Sequence, residues 1–141
     1  VIVPDTSVLV AGFVTGHRFH REAVSALAEV RAGGGLIAHT IAETFSVLSA
    51  AGGVYRSDTP TVVAYLEQFL ERPDSPIPLR PVAYREALEI LVGAGRSGGA
   101  IYDALIALAA RDAKATLVSF DRRAEATYEL CGVEARMLAG G

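Results

Sequence analysis

The chain opens on Val1-Ile2-Val3-Pro4, an apolar run rich in β-branched residues. Such a run predicts a short buried strand, and Asp5-Thr6-Ser7 behind it supplies side chains that cap a helix. "SVLVAGF" (7–13) then predicts a short helix, and "HRFHREAVSALAEVRAGGG" (17–35) a second one that stops at its glycines. "LIAH" (36–39) reads as a second strand and "TIAETFSVLSAAGG" (40–53) as a helix with its own glycine stop. In "SDTPTVVAYLEQFLERP" (57–73) Thr59 is the expected N-cap, Pro60 the first helical position and Pro73 the end. "IPLRP" (77–81) predicts a short strand, "VAYREALEILVGAG" (82–95) an amphipathic helix, and "GGAIYDALIALAARD" (98–112) a helix apolar almost all round. Strand, helix and strand follow in "ATLVSF", "DRRAEATYELCG" and "VEARML". Strands separated by one or two helices predict an α/β sandwich with a mostly parallel sheet. No repeat, linker or low-complexity tract interrupts the pattern, so residues 1–141 are expected to form one domain.

Composition narrows this picture. Hydrophobic residues make up 51% of the chain and mean hydropathy is +0.34, yet no uncharged apolar run reaches the length of a membrane span. The surplus apolar surface is expected at a subunit or partner interface. No basic segment followed by an apolar core marks a signal peptide, although the chain starts at Val1 rather than Met. The single Cys131 forms no internal disulfide and suits the cytoplasm, the expected location. A net charge of −3 lacks the basic balance typical of nucleic-acid binders. Its cations are nevertheless almost all Arg, the better fork for phosphate, and an acidic cluster built to hold cations would mask them in the sum.

Four carboxylates stand isolated in apolar surroundings. Asp5 is the only charge between Val1 and Gly16, Glu43 between Leu36 and Tyr55, and Asp103 between Arg96 and Arg111, while Asp121 follows "TLVSF". Each has a plain structural explanation. Asp5 and Asp121 suit N-caps, "TIAE" (40–43) is formally a capping box, and Asp103 suits the positive end of a helix. Together they converge on elements at one sheet edge, where α/β sites collect. Clustered carboxylates repel, and with no Lys, Cys or His at ligand spacing the fitting counter-charge is a hard divalent cation, Mg²⁺ or Mn²⁺. Such ions lower the pKa of bound water and clamp the oxygens of a phosphodiester. Thr6, Ser7 and Ser119 are placed to orient the carboxylates, and Arg96, Arg122 and Arg123 to grip a polynucleotide backbone.

Other motifs fail on context. "GAGRSG" (93–98) matches a dinucleotide fingerprint but follows a helical pattern, which predicts a helix C-cap and a loop. His17 and His20 lack a further ligand at metal spacing and read as a solvated helix start.

"VIVPDTSVLVA", "TIAETFSVL", "GGAIYDALIALAA" and "LVSFDRRA", in this order and spacing, resemble a PIN-domain ribonuclease, more narrowly the VapC toxins of toxin–antitoxin pairs. The resemblance spans essentially the whole chain. "SFD" stands where the usual segment is T-x-D, with Ser119 keeping the hydroxyl. It implies a three-layer α/β/α sandwich with four to five short strands. It also implies an Mg²⁺- or Mn²⁺-dependent endoribonuclease acting on tRNA or rRNA, blocked by a cognate VapB-type antitoxin, and a homodimer. Asp5, Glu43, Asp103 and Asp121 match the family's acidic positions, and Thr6, Ser7 and Ser119 its supporting hydroxyls. Asp5, Asp103 and Asp121 would touch metal; Glu43 would bind metal or position the water that attacks phosphorus in line. The loops around "GHRFH" and "AGRSGG" are expected to carry substrate choice.

Competing classes fit less well. A haloacid-dehalogenase-type phosphatase needs an acid where Ser7 stands, and a phospho-receiver domain needs adjacent acids and a late Lys. A catalytically inactive RNA- or protein-binding module on the same fold is the remaining alternative, and it has no use for four mutually repelling acids.

Overall fold

A computed structural model describes residues 1–138; the last three positions of the expected domain lie outside it. Its elements are β1 (Ile2–Pro4), α1 (Thr6–Phe13), α2 (His20–Gly33), α3 (Ala38–Ser49), α4 (Thr59–Glu67), α5 (Pro81–Ala94), α6 (Ala100–Asp112), β2 (Thr116–Ser119), α7 (Glu125–Cys131) and β3 (Ala135–Met137). The strands form a parallel sheet in the order β1-β2-β3, with Val3 opposite Leu117 and Val118 opposite Arg136. Parallel pairing sends the C-terminal ends of β1 and β2 to one edge, which puts Asp5 and Asp121 together.

The sheet is flanked on both faces because its side chains alternate. Val3 and Leu117 join a core with α5, α6 and α7, whereas Ile2 and Val118 face one built from α1, α2, α3 and α4. This is the expected three-layer sandwich. The all-round apolarity of α6 follows from its place in the first core, where every position from Ala104 to Ala110 is buried. Its many alanines let neighbours approach closely. An Arg111 fork on Glu86, at 2.6 and 2.9 Å, ties α6 to α5.

The sheet is narrower than the predicted four to five strands. The segments expected at 36–39 and 77–81 shrink to one parallel bridge, Ile37 with Ile77. Helix α3 takes the backbone away at Ala38, and Pro76 and Pro78 on either side of Ile77 have no N–H to extend a ladder. The Gly35 N–H still donates to the Ile2 carbonyl, so this segment lies along the free edge of β1.

Several boundaries shift for local reasons. Asp58, not Thr59, caps α4, since its carboxylate accepts from both the Thr61 N–H and hydroxyl. That helix ends at Glu67 rather than Pro73, closing on i→i−3 bonds from Phe69 and Leu70. Helix α2 begins at His20, leaving His17 in the preceding turn. Helix α7 begins only at Glu125. The loop reading of "GAGRSG" agrees with the structure: Gly95 ends α5 at φ 68°, a left-handed conformation that favours glycine.

Candidate active site

Asp5, Thr6, Ser7, Glu43, Asp103 and Asp121 line one cleft of about 250 Å³, together with Ile106 and Tyr128. Each acid comes from a different element. Asp5 ends β1 and caps α1, so its proposed capping role and its place in the cleft coexist. Glu43 projects from α3, Asp103 from the first turn of α6, and Asp121 from the segment after β2.

Asp5 is nearly fully buried and accepts three hydrogen bonds. Oδ1 accepts from the Ser7 hydroxyl and the Val8 N–H, and Oδ2 accepts from the Tyr128 hydroxyl at 2.7 Å. Burial raises its pKa above the usual carboxylate value, while bonds from Ser119, Ser7, Tyr128 and Val8 pull the other way. Ser7 also accepts from the Phe120 N–H at 3.0 Å, locking α1 to the end of β2. Ser119 accepts from the Asp121 N–H at 2.9 Å. Thr6 donates to Glu43 at 3.1 Å, which holds α1 and α3 in register across the cleft.

The capping-box reading of "TIAE" does not hold. Helix α3 starts two residues before Thr40, whose hydroxyl is buried without a partner, and Glu43 is bonded to Thr6 instead. Asp121 does not cap α7 either. It closes a tight turn by accepting from the Arg123 N–H at 3.0 Å.

Among the described residues the Asp103 carboxylate accepts no hydrogen bond. Its pKa is pushed up to about 6, first by burial, then by the charges of Asp121, Asp5 and Glu43, with Arg96 alone opposing. Asp103 therefore senses the other three acids. Of the three arginines expected to grip RNA, Arg96 stands near Asp103 but donates to Thr127 at 3.0 Å. Arg122 pairs loosely with Glu125 at 3.8 Å, and Arg123 is exposed.

Sequence reading missed Tyr128, which is buried on α7 and donates its hydroxyl to Asp5. It also missed the stacked His39 and Tyr102 rings, 5.5 Å apart, in a groove that shares Glu43 with the cleft.

A PIN domain family model matches residues 2–130. The chain is 41% identical over 138 residues to Ribonuclease VapC40 of Mycobacterium tuberculosis, covering 98% of this chain and 99% of that protein. It is 37% identical over 129 residues to Ribonuclease VapC27 of the same organism, covering 92% and 90%. Among solved structures, a chain of FitAcB from Neisseria gonorrhoeae matches with a TM-score of 0.64 at 17% identity over 96% of each chain. FitAB bound to an IR36 DNA fragment matches with a TM-score of 0.65 at 16% identity, over 97% of this chain and 94% of that one. At such identity these two likenesses concern the fold alone.

Proposed function

Because the chain belongs to the PIN domain family, among its VapC-type ribonucleases, we propose that it is the metal-dependent endoribonuclease toxin of a toxin–antitoxin pair. The observation that carries this reading is the convergence of Asp5, Glu43, Asp103 and Asp121 on one cleft, with Asp103 raised first by burial and then by the charge of the other three. A non-catalytic binding module gains nothing from that repulsion.

The donor set suits Mg²⁺ or Mn²⁺, being all carboxylate and hydroxyl oxygen. Among the described residues no three His, Cys, Asp or Glu groups form a ready-made cage. An ion of this kind keeps several waters and can meet substrate phosphate. Asp5, Asp103 and Asp121 would hold it, and its bound state would supply positive charge and activate water for attack. Asp5 is oriented by Ser7 and Tyr128, Asp121 by its turn onto Arg123, and Glu43 by Thr6. Glu43 would either join the ligands or orient the attacking water. In-line hydrolysis breaks the bond from phosphorus to the 3′-oxygen, leaving a 5′-phosphate and a 3′-hydroxyl.

The substrate is proposed to be structured RNA, tRNA or rRNA, and the inhibitor a VapB-type antitoxin. Tyr84, Leu88 and Val92 follow one another at i, i+4 spacing on α5 and are well exposed, which supports a homodimer through that face. No described helix is long and apolar enough to cross a membrane. A cytoplasmic location is part of the toxin proposal. Mapping the ends made by purified protein on total cellular RNA tests the reaction. Discrete products with 5′-phosphates are expected; 2′,3′-cyclic phosphate ends, or unchanged cutting by Asp5→Ala and Asp103→Ala variants, would overturn it.

A further inference from the structure

We infer that the loop before α2 and that helix's first turn, Thr15–Glu22, form a phosphate-binding track that receives the RNA backbone beside the acidic cleft, an inference resting on the ribonuclease reading. A polyanionic substrate must approach a protein of net charge −3 whose cleft is itself acidic, so cations near the cleft have to offset that repulsion. Five of the twelve arginines are already engaged. Arg72, Arg80, Arg111, Arg122 and Arg136 each hold a carboxylate.

Arg18 and Arg21, by contrast, are exposed and in no ion pair among the described residues. They line a pocket of about 460 Å³ with Thr15, His17, His20 and Glu22, so one acid accompanies two arginines and two imidazoles. Its walls are fixed rather than loose. His17 accepts from the Phe19 N–H at 3.1 Å, and the His20 Nδ1 bonds the Ala11 carbonyl at 2.9 Å.

A chain of contacts joins this pocket to the cleft. The Arg18 guanidinium lies 4.4 Å above the Phe19 ring, and Phe19 stacks on Phe120 at 5.0 Å and 17°. Phe120 precedes Asp121, and its N–H bonds Ser7, which bonds Asp5. A strand whose scissile phosphate meets the acids can therefore continue onto Arg18 and Arg21. The guanidinium fork suits phosphate oxygens.

Salt dependence of binding tests this directly. A fluorescein-labelled, mixed-sequence single-stranded RNA is titrated with the full chain carrying Asp103→Asn, without divalent cation, so that the RNA stays intact. Between about 50 and 200 mM salt, Arg18→Ala and Arg21→Ala should each reduce the slope of log affinity against log salt by about 0.7. Arg18→Lys should keep the slope. Lys114→Ala, at the opposite sheet edge where β2 begins, should leave it unchanged. Unchanged slopes in both alanine variants of a chain that binds RNA would overturn the track, leave the ribonuclease reading standing, and point to an acidic protein segment as the loop's partner. Absence of RNA binding together with absence of RNA cleavage by the unmutated chain would overturn both.

Discussion

Asp103 bears the electrostatic tension of the cleft. In the unfolded chain it titrates near its ordinary 3.8, and in the fold near 6. Below the lower value it is neutral in both states and costs nothing. Between about 3.8 and about 6 the unfolded chain releases this proton while the fold keeps it, so the metal-free protein loses stability across that window and stays at the lower level above it. Asp103→Asn should therefore raise the melting temperature of metal-free protein by a few degrees at pH 7 to 8 and leave it nearly unchanged near pH 4; a variant no more stable at pH 7 would contradict this. Added Mg²⁺ or Mn²⁺ should stabilise the unmutated chain more than the variant. Glu43→Gln divides its two proposed roles: the metal-induced stabilisation survives if Glu43 orients water and shrinks if it is a ligand. Tyr128→Phe removes a donor from buried Asp5 and should cost about 1.5–3 kcal/mol at neutral pH in denaturant unfolding. Asp5, Asp103 and Glu43 were legible in the sequence because a lone charge in an apolar stretch needs a reason. Tyr128 was not, because a tyrosine on a helix's inner face reads as core and its partner lies 123 residues away.

At the scale of elements, the site depends on how closely helices approach the sheet. Gly34, where α2 passes the edge of β1, has no room for a side chain: an added Cβ would collide with the Ile2 carbonyl oxygen. Backbone cannot yield as a side chain does, so Gly34→Ala should cost about 3 kcal/mol or more in denaturant unfolding, and a change within error would refute the close approach. Helix α6 was legible from its unbroken apolarity, and α5 from its Pro start and Gly end. The outer strands were misjudged because short apolar runs do not reveal whether a partner has N–H groups to offer. Only the neighbouring prolines and the early start of α3 decide that Ile37 and Ile77 make a bridge rather than a ladder. The same early start removes the apparent capping box and frees Glu43 for the cleft.

For the whole molecule, order of elements and isolated acids together made the sandwich and its active edge readable, whereas the electrostatics between acids required the fold. The exposed row on α5 makes its own forecast. Leu88→Glu should shift the protein from dimer to monomer in light scattering after size exclusion, with little change in unfolding of the monomer; a protein already monomeric would contradict the dimer proposal. The central claim is that four carboxylates converge to serve a metal-dependent ribonuclease. It is tested most directly by following cleavage of purified RNA as Mg²⁺ or Mn²⁺ is titrated into chelator-treated protein, unmutated and Asp103→Asn side by side. Cleavage should appear only with the cation and fall at least about 100-fold in the variant, since supporting partners of a metal site alone are worth about 10- to 100-fold. Cleavage that persists in chelator, or that the variant retains in full, would contradict it.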